Sequence, residues 1–164
     1  MADPSEAARA TQPRAGARNA ARVRTGEERL SELERALQAA RIGTFDWDTD
    51  EDRLVFSGSA AELFGAEGSL PGKPAELLHR VHPADRAPAF QAVNRALHEA
   101  GRSFAHVEYR VQGDDGALRW LRAEGRILRS ADGRPRRMVG TLCDVSERKA
   151  LESQLLRSQR MESV

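Results

Sequence analysis

Residues 140–154 read GTLCDVSERKALESQ, and the architecture can be worked outward from this junction. The apolar run Gly140-Thr141-Leu142-Cys143 meets Asp144-Val145-Ser146, after which the pattern is charged and helix-forming. A strand that enters a helix with no loop between them leaves no slack, so strain in one must move the other. Asp144 can accept from backbone N–H groups of the first helical turn, or pair with Arg119 or Arg122 on a neighbouring strand. Ser146 is placed to cap the helix, and Glu147 favours its positive end. The helix expected over 147–164 carries two competing stripes, Leu151-Leu155-Ser158-Glu162 and Leu151-Gln154-Ser158-Met161. Neither is wholly apolar, so no packing register dominates.

Upstream of the junction the hydrophobic period is two. SFAHVEYRVQ, residues 103–112, puts Ala105, Val107, Tyr109 and Val111 on one face. Gly113-Asp114-Asp115-Gly116 reads as a tight turn. Residues 117–130, ALRWLRAEGRILRS, form a long strand in which Gly125 marks a bulge or a close backbone approach. A second turn, Ala131 to Pro135, leads into the last strand, RRMVGTLCDV. Three strands joined by tight turns predict an antiparallel meander. In the first half of the chain IGTFDWD puts Phe45 and Trp47 on one face, Thr49 to Asp52 turns, and RLVFS returns. A lone hairpin is marginal, so this one is expected to complete the same sheet.

Between the two groups of strands lie helical signals. One short helix is capped by Ser57 or Ser59 and ended by Gly65; a second covers about residues 74–80. A longer helix from Pro83 to Ala100 carries Phe90, Val93, Leu97 and Ala100 on one face. Pro88 would clash with the carbonyl of Ala84, which predicts a loose first turn or a bend. The expected class is α+β: a five-stranded antiparallel sheet with helices on one face, flanked by amphipathic helices at both ends.

The N-terminal segment 1–25 has no hydrophobic period. Arg9, Arg14, Arg18, Arg22 and Arg24 stand against Asp3 and Glu6, with no aromatics between them. It reads as a disordered basic tail rather than a nucleic-acid arm. Residues 26–41 follow as a helix, with Thr25 and Glu28 forming a capping box and Leu30, Leu33, Leu37 and Ala40 forming a stripe. The stripe covers only about two heptads. Pairing in a coiled coil and docking on the domain behind it both fit.

The chain has 164 residues, 40% hydrophobic and 31% charged, which suits one domain, here 42–146, with flanking segments. A net charge of +1 supplies no field that would favour nucleic acid. The single cysteine, Cys143, excludes an intramolecular disulfide and a cysteine-based zinc site, and reads as a small core residue. No apolar stretch approaches the roughly 18–20 residues of a membrane span, and no secretory signal is present. These observations point to a cytoplasmic protein, or a cytoplasmic piece of one.

Several short pieces, in order, resemble a PAS domain with its C-terminal PAC portion. They are Phe45-Asp46-Trp47-Asp48, Val81-His82-Pro83-Ala84-Asp85-Arg86, Glu108-Tyr109-Arg110, Asp115-Gly116, Arg119-Trp120, Asp132-Gly133-Arg134-Pro135, Val139-Gly140 and Asp144-Val145-Ser146-Glu147-Arg148-Lys149. The combination is similar to the PAS subfamily of bacterial sensor histidine kinases and covers about residues 28–150. The resemblance implies a sensory and relay module, with Asp144, Val145 and Ser146 as the signal junction. It implies a parallel homodimer through Leu30, Leu33, Leu37, Leu151, Leu155 and Ser158. Downstream kinase domains and a response regulator would be its partners. The residues up to Val164 look like the lead-in to a phosphoacceptor helix; with no kinase core, this chain is not expected to be an enzyme. The alternative is a docking module with a filled core.

The PAS fold forms a pocket between sheet and helices. Its candidate lining is Phe45, Trp47, Phe56, Leu63, Phe64, Leu78, Val93, Leu97, Tyr109, Leu121, Met138 and Leu142. The cysteine motif of flavin-binding relatives is absent, and none of His79, His82, His98 and His106 is placed as an iron ligand. No cofactor, no metal site and no catalytic set is expected, and the identity of any small-molecule ligand is left open.

Overall fold

The computed structural model describes residues 25–163; the tail reading falls almost wholly on residues outside that range. Helix α1 (Gly26–Ala39) opens on the expected capping box, with the Thr25 side chain accepting from the Glu28 N–H and the Glu28 carboxylate accepting from the Thr25 N–H. Strands β1 (Gly43–Asp48) and β2 (Arg53–Gly58) form a hairpin. Short helices α2 (Ala60–Leu63) and α3 (Pro74–Leu77) follow, the latter running into a 3-10 turn at Leu78–Arg80. Helix α4 (Pro83–His98), strands β3 (Phe104–Gln112), β4 (Leu118–Arg129) and β5 (Pro135–Asp144), and helix α5 (Ser146–Glu162) complete the order.

The five strands make one antiparallel sheet in the order β2-β1-β5-β4-β3. The hairpin joins the meander through β5, which therefore has a partner on each side. Strand alternation puts Phe45, Tyr109, Leu121 and Leu142 toward the helices, as period-two patterning requires. It puts Cys143 on the opposite face beside Arg122, half-buried, so Cys143 is not the core residue its size suggests.

Gly125 is not a bulge; the register irregularity lies between Leu128 and Arg129. Phe45 sits opposite Gly140, and Gly140 sits opposite Gly125. The Phe45 ring lies over this glycine row, so that a Cβ on Gly125 would come within 2.9 Å of Phe45 Cζ. A Cβ on Gly140 would collide with the backbone carbonyl of Glu124. Close approach, rather than a turn conformation, thus demands both glycines.

Three helix expectations need correction. Helix α4 starts at Pro83 and is continuous through Pro88. His82 is its N-cap, with Nδ1 accepting from the Ala84 N–H at 3.1 Å, and the Asp85 N–H closes a tighter turn onto His82 O. Its buried face is Ala89, Ala96 and Leu97, while Phe90 is 59% exposed. Ser59 occupies the N-cap position of α2 but makes no side-chain cap bond; Gly58, with φ +61°, turns the chain there.

The end of α4 is held by Arg129. Its guanidinium donates to the carbonyls of Ala96, Leu97, Glu99 and Arg102 at 2.9–3.2 Å. A helix C-terminus leaves carbonyls without partners, and a cation there also matches the helix dipole. Replacing Arg129 with Met should lower the unfolding free energy by about 2–3 kcal/mol in urea titration. Gly140→Ala should destabilise by more than about 4 kcal/mol and leave little folded protein by circular dichroism.

Candidate ligand cavity and output junction

Two clusters of buried side chains lie on the helical side of the sheet, one around Phe64, Val111 and Leu121, the other around Ala96, Ala105, Ile127 and Met138. Phe45 packs against both. A cavity of about 330 Å³ is bounded by side chains of both clusters. Of the expected lining, Phe45, Trp47, Phe56, Leu78, Val93, Leu97, Tyr109, Met138 and Leu142 border it. Leu63, Phe64 and Leu121 do not. They are buried in the first cluster, where Phe64 meets Phe56 edge-on at 5.9 Å and leaves no space beside it. The expected lining left out Ala89, Ala105, Ala123 and Gly125, small residues that also border the space, although the alternation had put Ala105 on the inward face. The lining residues Asp52, Ala75, Phe90 and Asn94 are exposed and mark the mouth. His106 is the one histidine that borders the cavity, and it is exposed; among the described residues no three His, Cys, Asp or Glu cluster as a metal site.

On the opposite face the sheet meets α5. Asp144 Oδ1 accepts from the Ser146 N–H at 2.8 Å, which settles its choice in favour of the helix start; Arg119 pairs with Asp115 and Arg122 with Glu124. Ser146 is not the cap. Val145 holds that position, and Ser146 Oγ instead accepts from the Trp120 N–H at 2.9 Å. The Val145 N–H donates to Trp120 O at 2.8 Å. Both backbone groups of Trp120 are thus used to anchor the first residues of α5. Above this anchor Lys149 Nζ stands 4.7 Å from the Trp120 ring centroid, and Arg110 stands 5.3 Å from it. Arg148 and Lys149 both reach Glu108 on β3. Burial alone would raise the Glu108 carboxyl, but the Arg148 hydrogen bond and the Lys149 charge outweigh it and hold it below the ordinary range.

Two separate sequence motifs meet at the β3 edge. Asp85 at the start of α4 accepts from Arg110 N, Nε and Nη2 at 2.8–2.9 Å, and the His82 N–H donates to Arg110 O. The Arg110 hydrogen bond is the main cause that brings the Asp85 carboxyl from 3.8 to about 2. The guanidinium that grips Asp85 also lies against Trp120, so the helical layer and the anchor of α5 share one residue.

The PAS fold family matches residues 53–142, more than half of the chain. This chain belongs to the PAS fold family. The PAS domain is 32% identical over 114 residues to the sensor protein FixL of Bradyrhizobium diazoefficiens, covering 70% of this chain and 22% of that one. It is 33% identical over 136 residues to the two-component sensor PprA of Pseudomonas aeruginosa, covering 80% of this chain and 14% of the other. The chain therefore spans less than a quarter of either curated relative. Among solved structures, a sensory box histidine kinase/response regulator from Burkholderia thailandensis is 32% identical with a TM-score of 0.63, covering 80% of this chain and 96% of that one. No helix among the described residues is long and apolar enough to cross a membrane.

Asp85 gives the acid-stability test. Its folded value lies below the unfolded one, so its contribution is full above about pH 4 and is lost as pH falls toward 2. Asp85→Asn should cost about 2 kcal/mol at neutral pH and flatten the stability profile between pH 4 and 2, as measured by urea unfolding at each pH.

Proposed function

We propose that this PAS domain is the sensory and signal-relay module of a cytoplasmic two-component sensor histidine kinase. It works as a parallel homodimer, and its partners are downstream kinase domains and a response regulator. A change in the occupancy of the cavity alters the sheet, and the Asp144-Val145-Ser146 junction passes that change to α5. The catalytic step belongs to the kinase, not to this domain, and no haem, flavin or nucleic acid enters the scheme. The observation that carries the reading is the anchoring of Val145 and Ser146 on both backbone groups of Trp120. Strand β4, which lines the cavity through Ala123 and Gly125, is thereby coupled to the exit helix. The cavity itself favours a sensor over a docking module with a filled core.

The flanking helices supply the dimer argument. Leu30 and Leu33 on α1, and Leu151, Leu155 and Leu156 on α5, are 57–62% exposed in the single chain. Only Leu37, at the end of α1, is half-buried against the domain. Apolar stripes that the domain does not cover suit pairing with the same stripes of a second copy.

Four measurements test this. Ser146→Ala leaves the half-buried Trp120 backbone N–H without its acceptor and should lower stability by about 1–2 kcal/mol while speeding amide exchange at Trp120. Slow exchange through 144–148 is expected in the wild-type chain; fast exchange there would leave the relay without a lever. Cysteines placed singly at 151, 154, 155 and 158 should cross-link in a helical pattern that ligand shifts between the two stripes of α5, whereas one fixed pattern would sink the idea that the relay repacks this helix. Native mass spectrometry should report a dimer.

A further inference from the structure

Tyr109, the only tyrosine of the chain, is 6% exposed and borders the cavity. Its ring is fixed by Phe64, with centroids 6.5 Å apart, yet its hydroxyl makes no hydrogen bond among the described residues. The hydroxyl is not sealed in protein either. Among those residues the one enclosed side-chain polar atom without a hydrogen bond is Arg122 Nε, beside Glu124 on the far face of the sheet. The O–H therefore keeps a patch of open surface, and the open space its side chain borders is the cavity. A molecule that fills this space cuts the hydroxyl off from water, and a hydroxyl enclosed without a partner is costly, so an occupant that offers an acceptor gains over one that does not.

The rest of the lining limits what that molecule can be. It is almost wholly apolar and contains no lysine or arginine. The Asp52 carboxylate sits at the mouth and already accepts from the Trp47 ring N–H at 3.3 Å. An anion in the enclosed part would find no lysine or arginine to pair with, and His106, the one histidine of the lining, is solvent-exposed; burying an unpaired charge is prohibitive. Burial also keeps the Tyr109 phenol protonated well beyond its ordinary range, so the group presents a donor at every physiological pH.

We infer that the cavity takes a small uncharged, mainly apolar molecule carrying one hydrogen-bond acceptor such as a carbonyl oxygen, and that Tyr109 donates its O–H to that acceptor. This rests on the reading of the cavity as the sensory pocket. Tyr109 is the specificity-determining residue: it distinguishes a carbonyl compound from a hydrocarbon of the same shape.

Three probes of nearly equal shape test it: acetophenone, its hydrocarbon isostere α-methylstyrene, and benzoate. Dissociation constants are measured by ligand-observed NMR for the wild-type chain and for Tyr109→Phe, which keeps the ring and removes only the hydroxyl. Acetophenone should bind and benzoate should not. Tyr109→Phe should shift the ratio of acetophenone to α-methylstyrene affinity by about fivefold or more toward the hydrocarbon. In the unsubstituted chain, 3-fluorotyrosine gives a single fluorine line, which acetophenone should move further than α-methylstyrene does. If both neutral probes bind and neither the ratio nor the fluorine line distinguishes them, the role of Tyr109 is wrong while the pocket stands. Benzoate binding as tightly as acetophenone would overturn the uncharged class. If none of the three binds, the pocket reading falls and this inference with it.

Discussion

Strand β5 holds the molecule together. It is hydrogen-bonded to β1 on one side and β4 on the other, so the N-terminal hairpin and the C-terminal meander are one sheet only because β5 lies between them. The same strand ends at Asp144 and becomes α5 two residues later. A central strand cannot shift its register without moving every side chain to the wrong face. The exit helix is therefore rooted in the least adjustable part of the sheet, and twist or bend is the motion left to it.

Around this axis the polar side chains act as fasteners between layers. Arg129 ties the end of α4 to the β4–β5 turn region, with Gly133 O accepting one of its bonds at 3.1 Å. Asp85 ties the start of α4 to the β3 edge, occupying a backbone N–H of an edge strand that would otherwise be open to another chain. Helix α4 is thus held at both ends while its middle, Ala89 to Leu97, borders the empty space. The same middle stretch packs on the sheet through Ala89, Ala96 and Leu97, so what fills the space lies directly against a helix that is pinned at both ends.

Much of this was legible in the sequence. Period-two patterning, the turn glycines and the strand-to-helix junction give the element order and the sheet directly. The inward sets on β1 and β3 are as the alternation implies. What pattern could not give was the partition of inward residues between packed core and cavity wall. Phe64 and Phe56 have the same chemistry, and only the placement of neighbouring alanines and glycines decides which of them faces space. Nor could spacing find Arg129 or the Trp120 anchor, because both act through backbone carbonyls and amides remote in sequence. Ser146 misled for a related reason: a hydroxyl at a helix start has two possible partners, and here the neighbouring strand offers the better one. Cys143 shows that a small apolar type is not by itself a sign of burial.

The two tryptophans occupy opposite sides of this arrangement. Trp47 borders the interior space, and Trp120 lies beneath the root of α5 between two cations. Their indoles differ in surroundings, Trp47 bordering apolar side chains with its N–H on the Asp52 carboxylate and Trp120 facing two cations, so their emission differs in colour and in sensitivity to charge. The chain thereby carries an intrinsic optical gauge at each end of its own linkage, and the lag between the two signals after a perturbation would time the passage of strain across the sheet.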